Sequence, residues 1–408
     1  MKLASAPPNE FSEFIATYFE SCRTVCPRLR VIAGKWDFAD LIPGLSDFDT
    51  RFLAANDTTP EDWAAISLAV GDIHANITRA WPRWARILEH LPGVNLTFAE
   101  LYDPVLYQPE IQTWTIYDGD KPEAAHAREY IANCGWTPAD EYFHLRKFAT
   151  YFGPYRRGID PPINLGPFEE KYALHSRYMH YFAPPVQAAV SLALRQTVRG
   201  KLEALKRARE VFPNPHVIDT VLDAIATHYE TAESCDDSKL ADIERALGSY
   251  LAVVRQELVP SVTLVELSPS SSPVEFRQVV SSVPINPITK FLNTARYARL
   301  MRGRLMFYAQ QIPWFDTGWL IRNELQRMVD WFCRQPLIAY REAGLEAELS
   351  AAERKAFRRL AQVVDQEIPE GAEKARAQAA ADVFEPVQLA LEDLADQLHG
   401  VAGRVTSL

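Results

Sequence analysis

Strand-like patterning is confined to the first 120 or so residues of this 408-residue chain. Four short runs carry it, at residues 29–33, 47–53, 94–101 and 112–117, the last reading QTWTIY before an Asp118-Gly119 turn. From about Pro122 onward nearly every stretch has apolar residues at spacings of three and four, the helical period. So few strands can build only one small sheet. The expected fold class is α/β (α+β) at the N-terminus with a small mixed sheet, followed by all-α helical-bundle regions.

Ahead of the first strand, residues 9–22 place Phe11, Phe14, Ile15, Tyr18 and Phe19 on one helical face. After the second, Thr58-Thr59-Pro60-Glu61-Asp62 carries capping hydroxyls, an early proline and first-turn acids, which predicts a helix running to about residue 89 with a break near Pro82. Residues 186–211 read as the clearest helix of the middle region. The run LSPSSSP at 267–273 reads as a linker. These shifts divide the chain into an expected α/β domain at 1–125, a helical domain at 126–266, a linker at 267–287 and a C-terminal helical domain at 288–408.

The chain carries 53 acidic against 43 basic side chains, a net charge of -10, which weighs against nucleic acid as the main partner. Five cysteines at 22, 26, 134, 235 and 333 make no disulfide framework and point to a reducing, cytoplasmic setting. The first 24 residues lack the basic start and continuous apolar centre of a signal peptide, and no apolar run is long enough to span a bilayer.

Residues 34–51 read GKWDFADLIPGLSDFDTR. An apolar run leads into a turn at Gly34, and twelve residues further on come Ser46, Asp47, Phe48 and Asp49. On a strand, the period of two sends Asp47 and Asp49 to one face and Phe48 to the other. Two neighbouring carboxylates resist being ionised together unless a cation lies between them, and magnesium prefers such oxygens. The same residues also suit plain turn chemistry, with Ser46 and Asp47 bonding locally to the backbone.

This order of glycine turn, about a dozen residues and Asp-x-Asp resembles the signature of the nucleotidyltransferase superfamily with the polymerase-beta-type fold, which includes enzymes that modify aminoglycosides. The resemblance implies that Asp47 and Asp49 hold magnesium and a nucleoside triphosphate, ATP first among them, and that Gly34, Lys35 and Ser46 position the phosphates. Lys35 stands where the family usually has serine; a lysine can meet phosphate as a point charge. The family also places a third carboxylate beside the Asp-x-Asp strand, for which Glu100 is chosen by position, with Asp103 and Glu110 as rivals. A helical domain in the family lends basic residues to the triphosphate, and Arg199 and Lys206 are the candidates here, against a simple solvated face.

The implied reaction moves a nucleoside monophosphate to a hydroxyl on a small-molecule acceptor and releases pyrophosphate. Two alternatives stay open: a non-catalytic nucleotide sensor or interaction scaffold on the same fold, and a toxin-like member acting on RNA or protein. Oligomeric state is not legible from these residues.

Overall fold

The computed structural model describes residues 8–35, 37, 48–81, 88–106, 108–152, 182–214, 216–231, 237–258, 285–310, 317–345 and 349–405, with a few positions between 270 and 278. The chain is mostly helical with one small mixed sheet. Helix α1 (Pro8–Val25) leads into β1 (Leu29–Lys35), followed by β2 (Thr50–Ala54), α2 (Pro60–Ala80), β3 (Leu96–Thr97), the helical turn α3 (Phe98–Leu101) and β4 (Trp114–Gly119). The middle of the chain holds α4 (Lys121–Asn133), α5 (Pro138–Phe152), α6 (Ala183–Leu194), α7 (Lys201–Val211), α8 (His216–Thr231) and α9 (Asp237–Leu258). The last part holds α10 (Pro287–Ala298), α11 (Met301–Ala309), α12 (Thr317–Met328), α13 (Gln335–Glu342), α14 (Ala351–Val364) and α15 (Glu373–Val405), with a π-helical stretch, Val329–Arg334, between α12 and α13.

The strand order is β3-β2-β1-β4, with β1 antiparallel to β2 and β4, and β2 parallel to β3. Gly34 pairs with Thr50 on one side and Thr115 on the other, and Lys35 pairs with Trp114. One end of the sheet therefore gathers the finish of β1 and the starts of β2 and β4, while β3 lies beside the finish of β2 at the other end. Alternation buries both faces: Ile32 and Phe52 face α1, α2 and the C-terminal helices, while Val31, Ala33, Leu53 and Ile116 face α3 and α4; the register irregularity between Leu29 and Val31 turns Leu29 to the first face. The first of these cores runs from Phe11 to Leu106 and again from Ile288 to Ala402. Helices α5 to α9 bury a separate core between Phe148 and Leu258.

Two places hold the N-terminal part against the C-terminal helices. At the crossing of α2 and α11, a Cβ added to Gly303 would lie 1.8 Å from the Ser67 carbonyl oxygen, so the two backbones touch. Beside it, buried Arg299 donates to both oxygens of Glu100, at 2.6 and 2.8 Å, and to both of Glu392, at 2.6 and 3.0 Å. The basic stripe formed by Arg296, Arg299 and Arg302 is thus spent on Glu100, Glu392 and Glu385.

Three expectations need correction. The turn expected at Gly34 is strand instead, since Gly34 lies within β1 and pairs with Thr50 and Thr115. The strand expected at 94–101 is only Leu96–Thr97, because Thr97 and Glu100 form a capping box that starts α3: the Thr97 hydroxyl accepts the Glu100 N–H and the Glu100 carboxylate accepts the Thr97 N–H. The single helix expected at 186–211 is two helices, broken where Arg195 takes a left-handed conformation (φ 47°) and Gly200 a positive φ of 78°. Arg195, Arg199 and Lys206 therefore do not share a helix face. Trp36 and residues 38–47 lie outside the described residues, as does most of the linker expected at 267–287. Among the described residues no helix is long and apolar enough to cross a membrane.

Candidate active site

Gly34 leaves no room for a side chain, since a Cβ there would lie 2.1 Å from the Phe48 ring. That space lets Phe48 turn inward, edge-on to Phe11 and Tyr117 with centroids 5.0 Å away in each case. Its neighbour Asp49 then points outward from the start of β2, partly exposed, with Oδ1 3.7 Å from His90 Nε2. The Lys35 N–H donates to the Asp49 carbonyl at 2.9 Å, which locks the end of β1 to the entry of β2. Ser46 and Asp47 lie outside the described residues.

Across the same sheet end sits Glu110, almost wholly buried and in a left-handed conformation, φ 62° and ψ 20°. Asp140, near the start of α5, holds that conformation by accepting the Glu110 N–H at 2.6 Å while its other oxygen accepts the Thr137 N–H at 2.9 Å. Three basic side chains surround the Glu110 carboxylate: Lys35 pairs with Oε2, while His144 Nε2 and Lys147 Nζ stand 3.6 and 3.8 Å from Oε1. Glu110 Oε1 and both ring nitrogens of His144 are buried with no hydrogen-bond partner among the described residues. Trp136 stacks on His144, and the Phe143 ring lies 4.2 Å from Lys147 Nζ and 5.6 Å from Lys35 Nζ.

The electrostatics follow from this crowding. Burial works against the Glu110 carboxylate, but Lys147, Lys35 and His144 together outweigh it and hold its pKa at about 2. Burial brings His144 down to about 4 and Lys147 down to about 8, in each case against the pull of Glu110. Burial also lowers the Arg51 pKa, and Asp49 and Glu110 both act on that guanidinium. Lys201 adds positive field at Lys147. In a chain of net charge -10, basic side chains outnumber acids at this one sheet end among the described residues. Such a place suits a polyanion.

The other expected residues divide. Arg199 lies in the turn between α6 and α7 and reaches β4, its Nη2 3.3 Å from the Thr113 carbonyl and the Thr115 hydroxyl. Lys206 is exposed on α7, and no hydrogen bond or ion pair ties it to the sheet among the described residues. Glu100 is held by Arg296 and Arg299, and although burial opposes its charge, the two arginines keep its pKa near 2. Asp103 faces the other way, toward His399. His144 and Lys147 were not expected, although their i, i+3 spacing on a helix already puts them on one face. Their approach to Glu110 spans more than thirty positions of chain, and no local pattern encodes it.

No family model matches the chain, and neither the curated proteins nor the solved structures include a match. Asp49 fits the donor chemistry of a magnesium site, being a partly exposed carboxylate at the sheet end whose ion-pair partner among the described residues, His90, stands 3.7 Å away. Glu110 suits it less, since Lys35 already occupies one of its oxygens.

Proposed function

We propose that the N-terminal part is a nucleotidyltransferase-like domain, and that this sheet end binds a nucleoside triphosphate, ATP first among them, and transfers its nucleoside monophosphate to the hydroxyl of a small-molecule acceptor. The observation that carries it is the meeting of Asp49 and buried Glu110 with Lys35, Lys147 and Arg51 at one end of the sheet. Asp47 and Asp49 would hold a magnesium ion, which when bound offsets phosphate charge and aligns the attacking and leaving oxygens. Lys35, Lys147 and Arg199 would meet phosphate oxygens. Glu110, one of the two rivals to Glu100, takes the role of third carboxylate, because both oxygens of Glu100 are occupied by arginines.

In this scheme a bound triphosphate draws Lys35 and Lys147 away from Glu110. Burial then dominates and raises the basicity of the carboxylate. The acceptor hydroxyl loses its proton to Glu110 while its oxygen forms a bond to the α-phosphorus; the bond from that phosphorus to the α,β-bridging oxygen breaks, and pyrophosphate leaves with the electron pair. Free thiols at Cys22, Cys26, Cys134 and Cys333 suit a cytoplasmic enzyme.

Calorimetric titration with each of the four ribonucleoside triphosphates, with and without magnesium, tests the reading. Metal-dependent binding that is lost in the folded Asp47→Ala, Asp49→Ala double variant supports it; binding unchanged in that variant removes the site. A non-catalytic nucleotide sensor is the second reading, favoured by the Lys35 ion pair that holds Glu110 ionised. Release of pyrophosphate on turnover separates the two.

A further inference from the structure

Next to the proposed catalytic end lies a cavity of about 270 Å³ between α5, α10 and the π-helical stretch before α13. Pro109 and Phe143 form part of its wall, so it opens one residue from Glu110 and against the ring that carries Lys35 and Lys147. Four aromatic side chains line it, Tyr142, Phe143, Tyr297 and Trp331, a wall suited to a flat ring.

Its charge is one-sided. Arg146, Lys290 and Arg327 line the cavity and no carboxylate does among the described residues. Glu324 pairs with Arg327 at 3.0 Å, and Asp330 accepts from Gln335 at 3.1 Å, but neither acid is part of the lining. Lys290 is half-buried and makes no ion pair within 4.0 Å among the described residues. Burial lowers its pKa first, the nearby Arg146 lowers it further, and Asp330 only partly opposes them. An anion would relieve the Lys290 charge in this half-dry wall. A second cavity of about 270 Å³ shares Tyr142, Lys290 and Gln335, so Lys290 stands where the two meet.

Resting on the nucleotidyl-transfer reading, we propose that this cavity is the acceptor site and that the acceptor is an anionic, aromatic or similarly flat hydroxy compound, such as an aryl carboxylate. A polycationic aminoglycoside is disfavoured there, because Lys290 sets like charge in a partly buried wall. The anionic group sits on Lys290 and Arg146, the ring lies among the aromatic side chains, and the hydroxyl points past Phe143 toward Glu110.

The test titrates the full-length chain with 2-naphthoate, with 2-naphthylmethylamine, which carries the same ring with the opposite charge, and with magnesium and ATP. Naphthoate is expected to bind and the amine to fail. Lys290→Gln is expected to weaken naphthoate about tenfold or more, the size of one charge-assisted contact, while leaving ATP binding unchanged; the retained ATP binding shows that the variant is folded. Absence of naphthoate binding, equal binding of the amine, or indifference to Lys290→Gln overturns the anion site. Competition between naphthoate and ATP makes the cavity the nucleotide's own and also overturns it. Loss of ATP binding by the wild-type chain, with naphthoate still bound and still sensitive to Lys290→Gln, overturns nucleotidyl transfer while the anion preference stands.

Discussion

Glu110 combines a strained backbone with a crowded side chain. A left-handed conformation at a non-glycine residue costs on the order of 1–3 kcal/mol and persists only when its surroundings enforce it, here through Asp140 and through Thr113, whose N–H and hydroxyl both donate to the Glu110 carbonyl at 2.9 and 2.6 Å. Strain of this kind is a reason to expect chemistry at the residue. Glu110→Gln keeps size and shape but cannot accept a proton, so pyrophosphate release is expected to fall by about 10²–10⁴ with magnesium-dependent ATP binding within roughly tenfold of wild type. A variant that releases pyrophosphate at the wild-type rate would return the role to another acid. His74 gives the pH dependence. It is fully buried, with Nδ1 3.1 Å from the Tyr18 hydroxyl and Nε2 2.7 Å from the Leu88 carbonyl, and burial lowers its pKa from 6.5 to about 3. A depressed folded-state pKa means that the unfolded chain binds the proton first. The contribution is full above pH 6.5 and drains away as pH falls toward 3, by on the order of 5 kcal/mol. Urea midpoints measured from pH 7 to 4.5 should fall for the wild type and fall less steeply for His74→Gln, which starts lower at pH 7. Parallel slopes would clear His74.

Where α2 crosses α11, Gly71 and Gly303 take the place of side chains, and the Gly303 N–H donates to the Ser67 hydroxyl at 2.9 Å. Helices so close gain dispersion contacts along the whole crossing but tolerate no added methyl. Gly303→Ala should therefore lower stability by about 1–3 kcal/mol or more, since backbone has to move. Gly248→Ala, inside α9 with nothing within 4 Å of the added Cβ, should instead raise stability by roughly 0.5–1 kcal/mol, as removing a helical glycine does. Thermal unfolding of the two variants reads both signs. Short-range chemistry sets several helix starts: Thr59 with Asp62, Thr97 with Glu100, Asn286 with Thr289, and Ser350 with Glu353 each close a capping box at the start of α2, α3, α10 and α14.

Across the whole molecule, residues 288–402 complete the core that the sheet begins, so the helices at the two ends of the chain fold as one body around Phe52, Trp63 and Val70. Arg299 ties this body together by joining Glu100, Glu392 and the Asn95 carbonyl over nearly 300 positions of chain. Removing one partner of a buried ion network leaves charges without compensation, so Arg299→Met is expected to cost about 3–5 kcal/mol. Glu100→Gln should likewise lower the melting temperature while leaving pyrophosphate release per folded molecule intact. Lost turnover without lost stability would restore Glu100 to the site.

What the sequence determined by itself is local. Strand runs ending near residue 120 and helical spacing beyond it follow from periods of two and 3.6, which act over a few residues. The helix break at Arg195 and Gly200 was also local, but the apolar stripe on either side hid it. The tertiary structure alone decided which acid stands beside Lys35. Glu100 and Glu110 are equally plausible along the chain; Arg299 claims one from the far end of the molecule, and Lys147 and His144 leave the other at the sheet end. Long-range electrostatics in a buried setting makes that choice, and it depends on how distant segments pack rather than on the order of neighbours.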